Sequence, residues 1–181
     1  EGAAFSMSFS SGLAAIDVLL RATMRPGDSI LIGNDVYGGT YRLLSKVFVP
    51  WGVELDVVDA TDVAALNAAL GAKSYRYVWV ETPSNPLLGI TDIALTAQLA
   101  HEHGTKVVVD NTFASPILQH PLADGADAWC TPPPNTSEAT RTWSEGRCSS
   151  TTPRSPTPWP SCRTPPAQCR LRSIRGSTFA D

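Results

Sequence analysis

The chemistry open to this chain is concentrated where apolar, β-branched runs end on a polar group. Residues 106–113, KVVVDNTF, are the strongest case. Val107, Val108 and Val109 suit a strand buried on both faces, as in a parallel sheet. Asp110 then falls at the strand's carboxyl end, the edge at which open α/β sheets place their ligands. A buried carboxylate needs a partner. Two kinds are open on this stretch alone: the cationic ring nitrogen of a cofactor, or the backbone of the next loop, capped by an ordinary Asp.

Other candidate groups follow the same logic. Gly12 and Leu13, after Ser10-Ser11, lie at a predicted helix start, whose free N–H groups and positive dipole end would seat a phosphate. A plain Ser-Gly helix start is the simpler account. Tyr37 stands beside Gly38 and Gly39, which allow close backbone approach, so its ring would stack on a planar ligand or pack as a surface turn tyrosine. Glu81 and Asn85 flank a loop containing Pro83 and would orient a ligand hydroxyl or simply cap the loop. GxGxxG and GxxxxGK[ST] are both missing, which argues against dinucleotide and P-loop chemistry. His101, His103 and His120 show no metal-ligand spacing, and no metal is expected.

The elements that must position these groups alternate. Leu13, Ile16, Leu19 and Leu20 have helical spacing behind a Ser N-cap, and Met24-Arg25-Pro26-Gly27-Asp28 stops that helix. A strand over Ser29–Gly33 precedes a helix over about 37–48. Glu54–Val58 reads as a strand, 63–70 as a helix and Tyr77–Glu81 as a buried strand. Asp92 caps a helix that Gly104 ends near His103. Strands alternating with helices imply parallel βαβ units with right-handed crossovers. The fold class is therefore α/β, a mostly parallel sheet with helices on both faces, with Gly12, Tyr37, Glu81, Asn85, Asp110 and Thr112 in loops or helix starts on one active edge.

A length of 181 residues suffices for one domain with a sizeable core. The net charge of -3 gives no reason to expect nucleic acid or an acidic membrane surface. No run of about 18 apolar residues predicts a membrane span. The start, EGAAFSMSFSSG, lacks signal-peptide features and an initiator Met, so a fragment of a cytoplasmic protein is expected. The averages conceal a break: residues 1–128 contain no Cys, whereas 129–181 contain all 4 Cys, nine of the 15 Pro and no Val. Two such compositions rarely share one core.

The order of motifs in the first part resembles the cystathionine γ-synthase and γ-lyase family of pyridoxal-phosphate enzymes acting on sulfur amino acids. The matching strings are FSSGLAA, RPGDSILIGNDVYGGTYRL, VWVETPSNPLLGITDI and VVVDNTFASPILQHPLADGAD, which are spread from residue 9 to residue 127. The resemblance implies part of the large domain of an aspartate aminotransferase type I fold, and pyridoxal 5'-phosphate as cofactor. It also implies roles. Gly12 and Leu13 would give backbone N–H groups to the cofactor phosphate, and Tyr37 would stack on the ring and assist proton transfers. Asn85 would bond the ring hydroxyl oxygen, Glu81 would shape the substrate side, and Thr112 would pack beside the ring. Asp110 would pair with the protonated ring nitrogen, which keeps the ring able to accept carbanion electrons. The implied reaction is γ-elimination or γ-replacement on a small amino-acid substrate in a homotetramer. Gly39 stands where methionine γ-lyases typically carry a cysteine, which disfavours that subgroup. γ-Synthase, γ-lyase and O-acetylhomoserine sulfhydrylase readings stay open.

The pattern then stops. The family carries its Schiff-base lysine soon after the segment ending GAD, in a string like VVHSTTKY. Here Ala126-Asp127-Ala128 is followed by WCTPPPNTSEATRTWSEG, and the lysines are Lys46, Lys73 and Lys106. The genetic code supplies a reason. Trp129 is TGG, Cys130 is TGC or TGT, and each proline is CCN. Read one base earlier, the end of Trp129 with the start of Cys130 gives Val, and Cys130 into Thr131 gives His or Tyr. The residues from Thr131 to Pro134 then allow Ser-Thr-Thr, Pro134 into Asn135 allows Lys, and Asn135 into Thr136 gives Tyr or His. Residues 129–181 are thus expected to be an out-of-frame, disordered tail, against the plainer account of a genuine Pro/Ser/Thr/Arg-rich tail. On this reading the sheet loses the strand that should follow Asp127, and the chain as written is an inactive remnant. Sequencing the gene across the codons of Ala128 and Trp129 tests it: the neighbouring frame must yield HSTTKY, and a nucleotide sequence unable to do so sinks the reading.

Overall fold

The computed structural model of the protein describes residue 3, residues 5–131 and residues 142–145. Its first half runs β1 (Phe5–Ser8), α1 (Gly12–Thr23), β2 (Ser29–Gly33), α2 (Gly38–Leu43), a π-helical turn (Leu44–Phe48), α3 (Val49–Trp51), β3 (Glu54–Val58) and α4 (Val63–Ala72). β4 (Tyr77–Glu81), α5 (Ile93–Glu102), β5 (Lys106–Asp110), α6 (Ser115–Leu118), β6 (Ala128–Thr131) and β7 (Thr142–Glu145) follow. One seven-stranded sheet results, in the order β1-β7-β6-β5-β4-β2-β3. Neighbours from β6 to β3 pair in parallel, and β7 is antiparallel to both β6 and β1. β5, the strand that ends on Asp110, is the central one.

Local chemistry explains the helix starts. The Ser11 hydroxyl accepts the Ala14 N–H at 3.1 Å, Asp62 accepts those of Ala64 and Ala65, and Asp92 accepts that of Leu95 at 2.9 Å. Each side chain satisfies donors that the first helical turn leaves without a carbonyl. The single helix expected over 37–48 is instead α2, a widened turn and α3. Pro50 has no N–H for the preceding turn and crowds its carbonyls, and the Val49 N–H reaches back to the Leu44 carbonyl. That five-residue step buries Leu44 and Phe48 completely.

Strand alternation separates two cores. Ile30, Ile32, Tyr77, Trp79, Val108 and Cys130 pack against Ile16, Leu20, Leu44 and Phe48, the layer of α1 and the π-helical turn. Leu31, Val78, Val80, Val107, Val109 and Trp129 pack against Leu66, Leu70, Ile93 and Ala97, the layer of α4 and α5. Helices therefore cover both faces, and the five-residue apolar runs are buried throughout. At the free edge, Lys73 lies 2.7 Å from both Glu54 and Asp56 of β3. Its hydrogen bonds hold both carboxylates below their ordinary range, and charge on an edge strand opposes further strand pairing.

The strand expected to be lost after Asp127 is present. Ala128, Trp129, Cys130 and Thr131 are all buried, and Val108, Val109 and Asp110 pair with Ala128, Trp129 and Cys130. Ladder hydrogen bonds use backbone groups, so the pairing survives the change of composition at residue 129. The sheet thus takes in Ala128–Thr131 and, through β7, Thr142–Glu145, which corrects a disordered tail beginning at about 129. The rest of that expected tail, 132–141 and 146–181, lies outside the described residues.

Asp127 fastens β6 to β5. Its carboxylate is 6 % exposed and accepts the Val107 N–H at 2.8 Å and the His101 Nε2–H at 2.9 Å. Asp127→Ala leaves a buried N–H without its acceptor, and should lower the unfolding free energy by about 2–3 kcal/mol. Asp127→Asn, which keeps an oxygen acceptor, should lose less. Urea unfolding of the three proteins checks the order.

Candidate functional site

β1 is antiparallel to β7 and β7 to β6, so the carboxyl ends of β1 through β6 share one edge. Every group singled out from the sequence belongs to that edge. Gly12 and Leu13 follow β1 and Tyr37 follows β2. Glu81 ends β4 with Asn85 beyond it, and Asp110 ends β5 with Thr112 beyond it. Alternation also fixes the face. Glu81 shares the parity of Tyr77 and Trp79, and Asp110 that of Val108, all on the α1 side. Glu81 and Asp110 are register partners across β4 and β5.

Asp110 is 1 % exposed. Its Oδ1 accepts the Thr112 N–H at 3.1 Å and, in a short contact, the Thr112 hydroxyl. The loop-capping arrangement is thus realised, and it sets the orientation of the carboxylate. The next residue stitches strands together. The Asn111 N–H donates to the Cys130 carbonyl at 2.8 Å, and its Nδ2 donates to the Gln119 carbonyl at 3.2 Å. Gln119 Nε2 in turn donates to Asn111 Oδ1 and to the Thr82 carbonyl, each at 3.0 Å. One amide therefore ties the loop after β5 to the loop after β4.

Glu81, 6 % exposed, accepts the Tyr37 backbone N–H on Oε2 at 2.6 Å. Tyr37 is the N-cap residue of α2 and is 36 % exposed. Its ring lies over Gly39: a Cβ there would stand 2.9 Å from the ring's Cδ1 and 3.0 Å from Cζ. Gly39 makes room for the tyrosine ring itself. At the start of α1, the Ser11 cap engages Ala14, and helix geometry gives the N–H groups of Gly12 and Leu13 no intrahelical acceptor. Asn85 is half-buried in a loop whose neighbours Ser84 and Leu87 both donate to Asp35 Oδ2.

A cavity of about 160 Å³ opens beside this row, lined by Gly33, Asp35, Asp59, Glu81, Ser84 and Thr91 among others. It touches the row through Glu81. Among the described residues no cluster of three His, Cys, Asp or Glu could hold a metal ion, and no helix is long and apolar enough to cross a membrane. The lysines are remote. Lys106 begins β5 and Asp110 ends it, about 13 Å apart at about 3.3 Å per residue. Lys73 is paired on the β3 edge, and Lys46 is exposed in the π-helical turn.

Asp35, Asn111 and Gln119 were not singled out from the sequence. Asn111 had a local signal, a polar residue directly behind a strand-ending acid. Asp35 and Gln119 act on residues 49 and 37 positions away, and only the fold brings them together.

The model of the family described as Cys/Met metabolism PLP-dependent enzyme matches residues 1–131. The cystathionine gamma-synthase of Mycobacterium leprae (strain TN) is 52% identical over 127 residues, 70% of this chain and 32% of the relative. The cystathionine beta-lyase of Lactococcus lactis subsp. cremoris is 46% identical over 127 residues, 70% of this chain and 33% of the relative. The chain thus spans about a third of the length of these relatives. Among solved structures, metB from Corynebacterium glutamicum superposes with a TM-score of 0.76 at 46% identity, over 81% of this chain and 39% of that one. The cystathionine gamma synthase from Xanthomonas oryzae pv. oryzae in complex with cystathionine gives 0.76 at 37% identity, over 81% and 39%.

Gln119→Ala removes two donations that join the loops after β4 and β5. The expected loss of unfolding free energy is about 1–2 kcal/mol, read from the urea midpoint at constant m-value.

Proposed function

The chain belongs to the family of Cys/Met metabolism PLP-dependent enzymes, and we propose on that premise that its sheet edge is the cofactor floor of a transsulfuration enzyme. The intact protein would carry out γ-replacement or γ-elimination on cystathionine-type sulfur amino acids, as a cytoplasmic homotetramer. The observation that carries this is Asp110, an acid 1 % exposed at the carboxyl end of the central strand.

Pyridoxal phosphate, when bound, supplies an electron sink for charge developing on the substrate. The residues present suit its parts. Ionised Asp110, held by Thr112, would keep a proton at the ring nitrogen. Gly12 and Leu13 would seat the phosphate with their N–H groups and the positive end of α1. Tyr37 would stack on the ring and move protons at its face, Asn85 would hold the ring hydroxyl, and Glu81 would stand on the substrate side. What the described edge lacks is an amine to tether the cofactor. Lys106 is at the opposite end of its strand, so the chain as written binds the cofactor without a covalent bond and does not turn over substrate.

Residues 1–128 are then part of the large domain, and 129–181 are read out of frame. One observation supports this division. Sequence likeness covers 70% of the chain while superposition covers 81%, as expected where backbone pairing outlasts side-chain identity.

Titration with pyridoxal phosphate tests the reading. The wild-type chain should bind reversibly, and Asp110→Asn should bind about tenfold to a hundredfold more weakly, the worth of a hydrogen bond to a charged group at about 1.5–3 kcal/mol. Borohydride should leave no lysine labelled, and cystathionine should be untouched. Equal affinity in Asp110→Asn, or a specifically labelled lysine with turnover, would overturn it.

A further inference from the structure

Glu81 was assigned above to the substrate side, but the contact it makes leads elsewhere. Its carboxylate lies 6 % exposed at the end of β4, beside Asp110, and takes the backbone N–H of Tyr37 at 2.6 Å across 44 residues of sequence. A hydrogen bond to an ionised acceptor is short and about twice as strong as a neutral one. Tyr37 has no side-chain cap of its own, and its φ of -46 and ψ of 127 place it outside the helix that it starts. The N-cap residue therefore hinges between the end of β2 and α2, and Glu81 fastens that hinge to the sheet.

The ring lies over α2 at Gly39. A Cβ at residue 39 would fall inside van der Waals contact of three atoms of the Tyr37 ring, so the ring occupies the room that glycine leaves. Glu81 thus holds the backbone at Tyr37 and Gly39 leaves room for its ring, and neither has to touch the ligand to do so.

We propose that Glu81 is a positioning residue that acts on the cofactor face through Tyr37. The proposal rests on the reading of this edge as a cofactor floor, but its first readout needs no cofactor. In the ¹⁵N-labelled full chain without ligand, the Tyr37 amide proton should resonate downfield and exchange slowly. Glu81→Gln should move it upfield and speed its exchange at least tenfold, while amides of β5 stay in place. Gly39→Ala should shift the ring protons of Tyr37 and leave its amide bonded.

Affinity for pyridoxal phosphate gives the second readout. Glu81→Ala should weaken binding about tenfold in the wild-type chain and by less than about threefold in Tyr37→Ala, because the residue it acts through is gone. Glu81→Gln, which keeps an acceptor, should recover most of the affinity. A Tyr37 amide indifferent to Glu81→Gln overturns the proposal. So do equal losses in both backgrounds, which would mean that Glu81 meets the ligand on its own account. If the wild-type chain binds no pyridoxal phosphate, the cofactor reading fails while the amide measurement still decides whether Glu81 holds Tyr37.

Discussion

Burying Asp110 is the constraint on which the rest of the site depends. An ionised carboxylate removed from water costs several kcal/mol unless hydrogen bonds or an opposite charge offset the loss. The structure closes a strand on each side of it, with Cys130 as register partner in β6 and Glu81 in β4. Thr112 fixes its orientation, and Asn111 with Gln119 holds the loop that carries Thr112. A second acid, Glu81, stands beside it as its register partner in β4. Two carboxylates on one face make the edge electronegative, an environment suited to a cationic ring nitrogen. The start of α1, where we propose that the phosphate sits, follows a different strand, so the two ends of a planar ligand would meet opposite charge.

Much of this was legible in the sequence. The bounds of β2, β3, β4 and β5 follow from five-residue runs set between turn residues, and Ser11 and Asp92 cap the helices they precede. Those signals are local. β1 was not legible, because FSMS becomes a strand by pairing with residues 142–145. The break in the helix after Tyr37 depends on how Pro50 and the burial of Phe48 are reconciled. The link from Glu81 to Tyr37 joins positions 44 residues apart that no spacing encodes, so neither reading of Glu81, from its loop or from the resemblance, included it.

β6 shows the limit of composition as a guide. Residues 129–131 lie past an abrupt change in residue usage, yet they alternate in the sheet as a strand should. Cys130 faces the α1 layer, and Trp129 faces the α4 and α5 layer. A backbone ladder accepts them because its donors and acceptors are the same in every residue except proline. Fold and chemistry therefore separate at this point. The strand that walls Asp110 is kept, while the lysine that the family places soon after it is not among the chain's residues.

The central claim is that Asp110 recognises a cationic ring nitrogen. The most direct measurement is the ¹⁵N chemical shift of pyridoxal phosphate labelled at its ring nitrogen and bound to the wild-type chain, followed above the pH at which the free ring loses its proton. The account predicts a protonated nitrogen in the wild-type complex and an unprotonated one in Asp110→Asn. A bound ring whose nitrogen titrates as it does in free solution would contradict it.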